Sequence, residues 1–225
     1  MRDLNLRALR ASLLGLLAMA ALLFVPGGTL NYWQAWLFML VFAGASTAIT
    51  VYLAINDPKL LERRLRVGPK AEREKAQKTA VSLAALGFIA LLVLPGLDRR
   101  FGWSSMPSSI SLAGDALIAL GFVLIFFVLK ENPYSASTVQ VMEEQRVIST
   151  GPYARLRHPM YAGALVLILG IPLALGSWWD LLVIFLMIPA LMWRLVDEER
   201  FLKQNLPGYS EYTQRVRHRL VPFIW

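Results

Sequence analysis

Apolar runs of 15 or more residues recur along the chain, separated by charged connectors. That pattern constrains the fold more than any other feature. In lipid every backbone N–H and C=O must be satisfied within the protein, so runs of this length are helices that cross or enter a bilayer. A soluble chain of 225 residues would instead spread its apolar residues at helical or strand period. Composition agrees. The chain is 56% hydrophobic and 17% charged, against roughly 25% charged in soluble domains, and its mean hydropathy is +0.51. The expectation is an all-α integral membrane protein with about six transmembrane helices.

The expected spans are 8–25, 32–55, 79–94, 112–129, 160–175 and 178–193. The first has the charged start of a signal peptide, but the stretch before Gly27 is a poor small-residue cleavage site, so an uncleaved helix is expected. Pro26-Gly27-Gly28 predicts a tight turn, and Tyr32, Trp33 and Trp36 suit an interfacial belt. Asn56-Asp57-Pro58 should stop the second helix, because the residue before proline leaves the helical region. The connector 56–78 carries Arg63, Arg64, Arg66, Lys70, Arg73 and Lys75. With Leu60, Leu61 and Leu65 near helical spacing, it fits either a helix lying on headgroups or a solvated linker. Pro95-Gly96 should close the third helix. The segment 130–157 is too polar to cross. The last two spans have 16 residues each, about 24 Å of helix against a ~30 Å core, and Gly176-Ser177 joins them into a short hairpin that is tilted or incompletely spanning. The tail from Asp197 onward is amphipathic and basic. Two parts result: 1–130, four helices with the connector, and 131–225, a ribbon, a hairpin and a tail.

With six spans, 21 of the 23 basic residues fall on one side and only Arg99 and Arg100 on the other. The positive-inside rule makes the first side, with both termini, cytoplasmic. The net charge of +8 therefore meets anionic headgroups, and membrane lipids rather than nucleic acid are the expected partner. The chain has no cysteine, which excludes disulfides, thiolate metal sites and a cysteine nucleophile. No metal site is expected.

Chemistry has to come from the polar stretches flanking the final hairpin. The first is the ribbon Gly151-Pro152-Tyr153-Ala154-Arg155-Leu156-Arg157-His158-Pro159-Met160-Tyr161-Ala162-Gly163. The second begins Arg194-Leu195-Val196-Asp197-Glu198-Glu199. A hairpin brings its own ends together, so the two should meet. Pro159 fits a first helical turn, whose free N–H groups favour a carboxylate. Tyr153 and Tyr161 offer flat faces for a base or a sulfonium, and Arg194 and Glu198 share a helix face. The same residues also fit plain structural roles: snorkelling Arg155 and Arg157, a helix-starting His158-Pro159, a solvated Glu198-Glu199-Arg200.

Three blocks, Gly-Pro-Tyr-x4-His-Pro-x-Tyr-x-Gly (151–163), Asp197-Glu198-Glu199-x2-Leu202 and Pro207-Gly208-Tyr209-x2-Tyr212-x2-Arg215-Val216, resemble the isoprenylcysteine carboxyl methyltransferase family. That family belongs to a wider group of membrane methyltransferases that includes phospholipid N-methyltransferases. The resemblance covers about 135–225. It implies a membrane enzyme using S-adenosyl-L-methionine without a Rossmann domain, and no Gly-x-Gly-x-x-Gly follows a strand here. It further implies a cytosol-facing cofactor pocket and a lipophilic acceptor arriving from the bilayer. Carried over by position, that pocket takes the backbone around Gln145, Arg146, Val147 and Ile148, then Tyr153, His158, Pro159, Met160, Tyr161 and Glu198. Arg194 matches a substrate position. Upstream, either Gln140 or Met142 stands where the family has a glutamine.

On this reading 131–225 is the methyltransferase core. Methyl transfer from sulfonium to a carboxylate needs alignment and water exclusion but no base. Glu198 would hold the cofactor's ammonium or ribose, and Arg194 would anchor the acceptor carboxylate by a two-point bond. An amine acceptor would need a base, with His158 or Glu199 the candidates. Two alternatives stand beside carboxyl methylation: phospholipid amine methylation, and a non-catalytic lipid-binding membrane protein. The expected location is the inner or plasma membrane, with the site on the cytoplasmic face.

Overall fold

The computed structural model describes residues 2–65, 68, 72, 75–222 and 225. Of the connector's basic residues, Arg66, Lys70 and Arg73 lie outside the described residues. Among the described residues the regular secondary structure is all helical. Its elements are α1 (Arg2–Gly27), α2 (Trp33–Asn56), α3 (Pro58–Leu65), α4 (Lys75–Phe101), α5 (Ser108–Glu131), α6 (Pro159–Leu175), α7 (Asp180–Asn205) and α8 (Tyr209–Arg215), with a 3-10 turn at Gly151–Ala154.

Among the described residues, four helices are long and apolar enough to cross a membrane: α1, from Asp3 on, α2, α4 and α5. α6 is apolar but has 17 residues, about 26 Å. α7 has 26 and continues well past the expected end at 193, carrying Arg194 to Asn205 out of the apolar stretch in one continuous helix. Pro95 and Gly96 do not end α4, which runs on to Phe101. They sit where α1 crosses: a Cβ on Gly96 would stand 2.6 Å from the Leu23 carbonyl oxygen. The turn expected at Pro26-Gly27-Gly28 begins at Gly28, where φ turns to +63°.

Asp57 ends α2, as its proline neighbour requires, and its Oδ1 then accepts the Leu60 N–H at 2.9 Å, starting α3. Leu60 and Leu61 of α3 are buried against Leu4, Ala8, Leu53 and Leu129. The helical reading of this part of the connector holds, and its apolar face lies on protein.

The final two helices are joined by a short loop but are not primarily each other's neighbours. α6 packs chiefly on α5, and α7 chiefly on α4. The reason lies in the glycines. A Cβ on Gly114 would meet the Ala174 nitrogen at 2.2 Å, one on Gly121 would meet Leu167 at 2.7 Å, and one on Gly170 would meet the Gly114 carbonyl oxygen at 2.6 Å. Small residues on both faces let the two backbones touch, the usual way helices associate in lipid, where no hydrophobic drive separates them from the tails. The main core gathers Leu23, Phe38, Leu91, Leu92, Ile118 and Ile171. A separate cluster of Leu206, Tyr209, Tyr212 and Val216 packs on Val141, Val147 and Leu202 and roofs the region after α7.

Candidate functional site

α7 emerges from its apolar stretch beside the ribbon, and two consecutive carboxylates on it take different partners. Glu199 is 3% exposed. Its Oε1 meets Arg157 Nη1 at 2.8 Å and His158 Nε2 at 3.3 Å, and its Oε2 accepts from Arg219 Nε at 3.0 Å. Burial alone would raise the Glu199 carboxyl. The hydrogen bonds from His158 and Arg219, with the His158 and Arg157 charges, outweigh it and hold the group down at about 2. The backbone reinforces this knot. The N–H groups of Arg157 and His158 donate to the carbonyls of His218 and Arg219 at 2.9 and 3.0 Å, so the tail lies alongside the ribbon.

Glu198, one residue earlier, accepts from the Tyr161 hydroxyl at 2.6 Å, and that hydroxyl accepts from Arg194 Nε at 2.9 Å. The spacing of four that puts Arg194 and Glu198 on one face of α7 thus lets Tyr161, from the first turn of α6, bridge them. Arg194 has a further partner of its own. Its Nη2 meets Glu72 Oε1 at 2.9 Å, while Glu72 Oε2 accepts the Val139 N–H at 3.2 Å.

These groups border a cavity of about 310 Å³, at the lower end of the range for small-molecule sites. Of the residues carried over by position, Gln145, Arg146, Val147, Ile148, Tyr153, His158, Met160, Tyr161, Arg194 and Glu198 line it. Pro159 does not; it is buried at the first position of α6. Upstream, Gln140 lines the cavity, and Met142 is absent from the lining. Gln145 closes its own turn twice over, its Oε1 accepting the Met142 N–H at 3.0 Å and its N–H donating to the Met142 carbonyl at 3.1 Å.

Several lining residues carried no assignment from the sequence. Tyr209 and Tyr212, with Leu202 and Leu206, supply an aromatic and apolar wall. The Tyr212 hydroxyl donates to the Tyr153 carbonyl at 2.8 Å, tying α8 to the 3-10 turn. Gly208, at φ +82°, makes the reversal from α7 into α8 that brings these tyrosines back. The signal was the Pro-Gly-Tyr-x2-Tyr block itself. Arg64, from α3, and the stretch 134–139 also line the cavity; nothing local in their sequence marks them.

The cavity is polar and rich in donors. Burial pushes the Tyr153 hydroxyl up to about 12, and raises Tyr209 and Tyr212 as well, so all three keep their protons. Arg194 Nη1, Arg157 Nε and the Tyr209 hydroxyl are buried and have no hydrogen-bond partner among the described residues. All three belong to lining residues, and all can donate. The lining side chains are thus rich in donors, which suits a ligand bearing carboxylate, hydroxyl or ring-nitrogen acceptors better than a purely apolar molecule.

No curated protein matches the chain. Residues 110–207, which hold all but the start of α5, the ribbon, α6 and α7, match the phospholipid methyltransferase family.

Proposed function

We propose that the protein is an S-adenosyl-L-methionine-dependent methyltransferase that modifies the carboxylate of a lipophilic acceptor at the cytoplasmic face of the membrane. The observation that carries the reading is the Arg194–Tyr161–Glu198 relay on the wall of a donor-rich cavity within the methyltransferase-family segment. When bound, the cofactor supplies an electrophilic methyl carbon on positively charged sulfur. Glu198, held by Tyr161, is placed to receive a cationic or hydroxyl group of that ligand. The backbone at 145–148 and the rings of Tyr153, Tyr161, Tyr209 and Tyr212 offer polar and flat contacts. Arg194 holds the acceptor's acid group. Val147, Leu202 and Leu206 exclude water from the transfer.

The charge asymmetry read from the sequence supports a cytoplasmic cavity, since Arg64, Arg146, Arg157 and Arg194 all border it and belong to the basic side. The two-part division of the chain, helices 1–130 and core 131–225, belongs to this reading too, with one extension: Arg64 from the first part reaches the cavity wall. Because the matching family is named for phospholipid methylation, amine methylation is the second reading.

Calorimetric titration of S-adenosylmethionine into the protein in nanodiscs tests the proposal. Wild type should bind, and Glu198→Ala should lose at least about tenfold in affinity, the scale of one charge-assisted hydrogen bond. Unchanged affinity in the variant would remove Glu198 from the cofactor site; no binding by wild type would remove the function.

A further inference from the structure

Arg194 is not free to grip an acceptor at two points. A guanidinium offers a carboxylate either its Nε/Nη2 edge or its Nη1/Nη2 edge. Here Nε is taken by the Tyr161 hydroxyl, and Nη2 by Glu72 at 2.9 Å. Nη1 alone is left, buried and without a partner among the described residues. Glu72 is itself a buried carboxylate, 4% exposed, and it reaches Arg194 with one oxygen only, because the other accepts from Val139 N–H. It does not line the cavity, although Arg194 does.

We infer that Glu72 is a specificity-determining residue: an internal counter-ion that occupies Arg194 until an acceptor bringing its own carboxylate takes its place. The inference rests on the proposed role of Arg194 as acceptor anchor. Its logic is an exchange of like for like. A buried guanidinium left without a counter-ion is costly, so an uncharged lipid cannot displace Glu72. A lipophilic carboxylate replaces one charge pair with another at little electrostatic cost. It can also span Nη1 and Nη2 together, satisfying the donor that Glu72 leaves unpaired. A second carboxylate added beside Glu72 would instead crowd two negative charges onto one guanidinium. The site therefore selects by charge. The Val139 N–H reports whether the acceptor is bound, since it loses its own hydrogen-bond acceptor when Glu72 leaves.

The test uses full-length protein in nanodiscs, with oleate as the carboxylate probe and oleyl alcohol as its uncharged counterpart. Glu72→Gln should bind oleate about tenfold more tightly than wild type, the worth of one competing hydrogen bond, and should leave the affinities for oleyl alcohol and S-adenosylmethionine unchanged. Unchanged or weaker oleate binding would overturn the inference, as would equal tightening for the alcohol, which would mean only that the pocket had opened. Wild type supplies an independent reading: saturating oleate should speed hydrogen exchange at the Val139 amide, and unchanged or slower exchange would overturn the exchange model. If S-adenosylmethionine fails to bind while oleate still displaces Glu72, the methyltransferase reading falls and this one stands. If the cofactor binds but oleate shows no dependence on Glu72, only this inference falls.

Discussion

Glu198 and Glu199 stand side by side on α7, and their chemistry separates at the level of partners. Glu198 faces the cavity through Tyr161, whereas Glu199 pairs with Arg157 and Arg219 and meets the His158 ring. Sequence spacing made both plausible ligands of a cofactor or proton. Only the tail's return, pairing 157–158 with 218–219, turned Glu199 and most of His158's reach toward structure. Glu199→Gln should therefore lower stability by about 3–5 kcal/mol, the scale for leaving a buried partner charge uncompensated, in thermal melts of the detergent-solubilised protein. Glu198→Gln should melt close to wild type. The pH dependence has a fixed sign. The folded-state Glu199 carboxyl sits at about 2, below its ordinary 4.5, so its stabilisation is fully present above the ordinary value. It is lost as pH falls through about 4.5 toward 2. In Glu199→Gln that component of the acid melting profile should disappear.

Helix boundaries show what element-scale patterning can and cannot carry. Asn56-Asp57-Pro58 stops α2 because the proline rule is local, and the structure follows it. Pro95-Gly96 did not stop α4, because there the glycine serves a crossing with α1 that lies 70 residues away in sequence. The hairpin's loop was legible from Gly176-Ser177, but its packing was not. Gly114, Gly121, Gly163 and Gly170 lie on the two facing sides of α5 and α6, and only the partner helix gives them meaning. Gly170→Ala should cost about 1–3 kcal/mol by overpacking, since its Cβ would meet backbone at 2.6 Å. Gly15→Ala, with nothing within 4 Å, should be neutral or slightly stabilising. Parallel thermal melts of the two variants would check this.

For the molecule as a whole, hydropathy announced a helical membrane protein, and the motif blocks located part of the cavity wall. What stayed hidden was contributed across long sequence distances: Arg64 from α3, Glu72 beside Arg194, and the tyrosines of α8 folded back by Gly208. The absence of native cysteine makes orientation directly measurable. Single cysteines at Lys203 and Ser109, both exposed, should react with a membrane-impermeant thiol reagent from opposite faces of the membrane, Lys203→Cys from the cytoplasmic face. Labelling of both from one face would contradict the arrangement. Catalysis is tested with purified protein in nanodiscs supplied with a lipid extract and methyl-labelled S-adenosylmethionine. The account predicts label in the lipid fraction that base releases as methanol, its loss in Glu198→Ala, and sharply reduced transfer in Arg194→Ala. Base-stable label would move the acceptor from carboxylate to amine. An absence of labelled lipid from a preparation that binds the cofactor, with acceptor-rich extract present, would contradict the account.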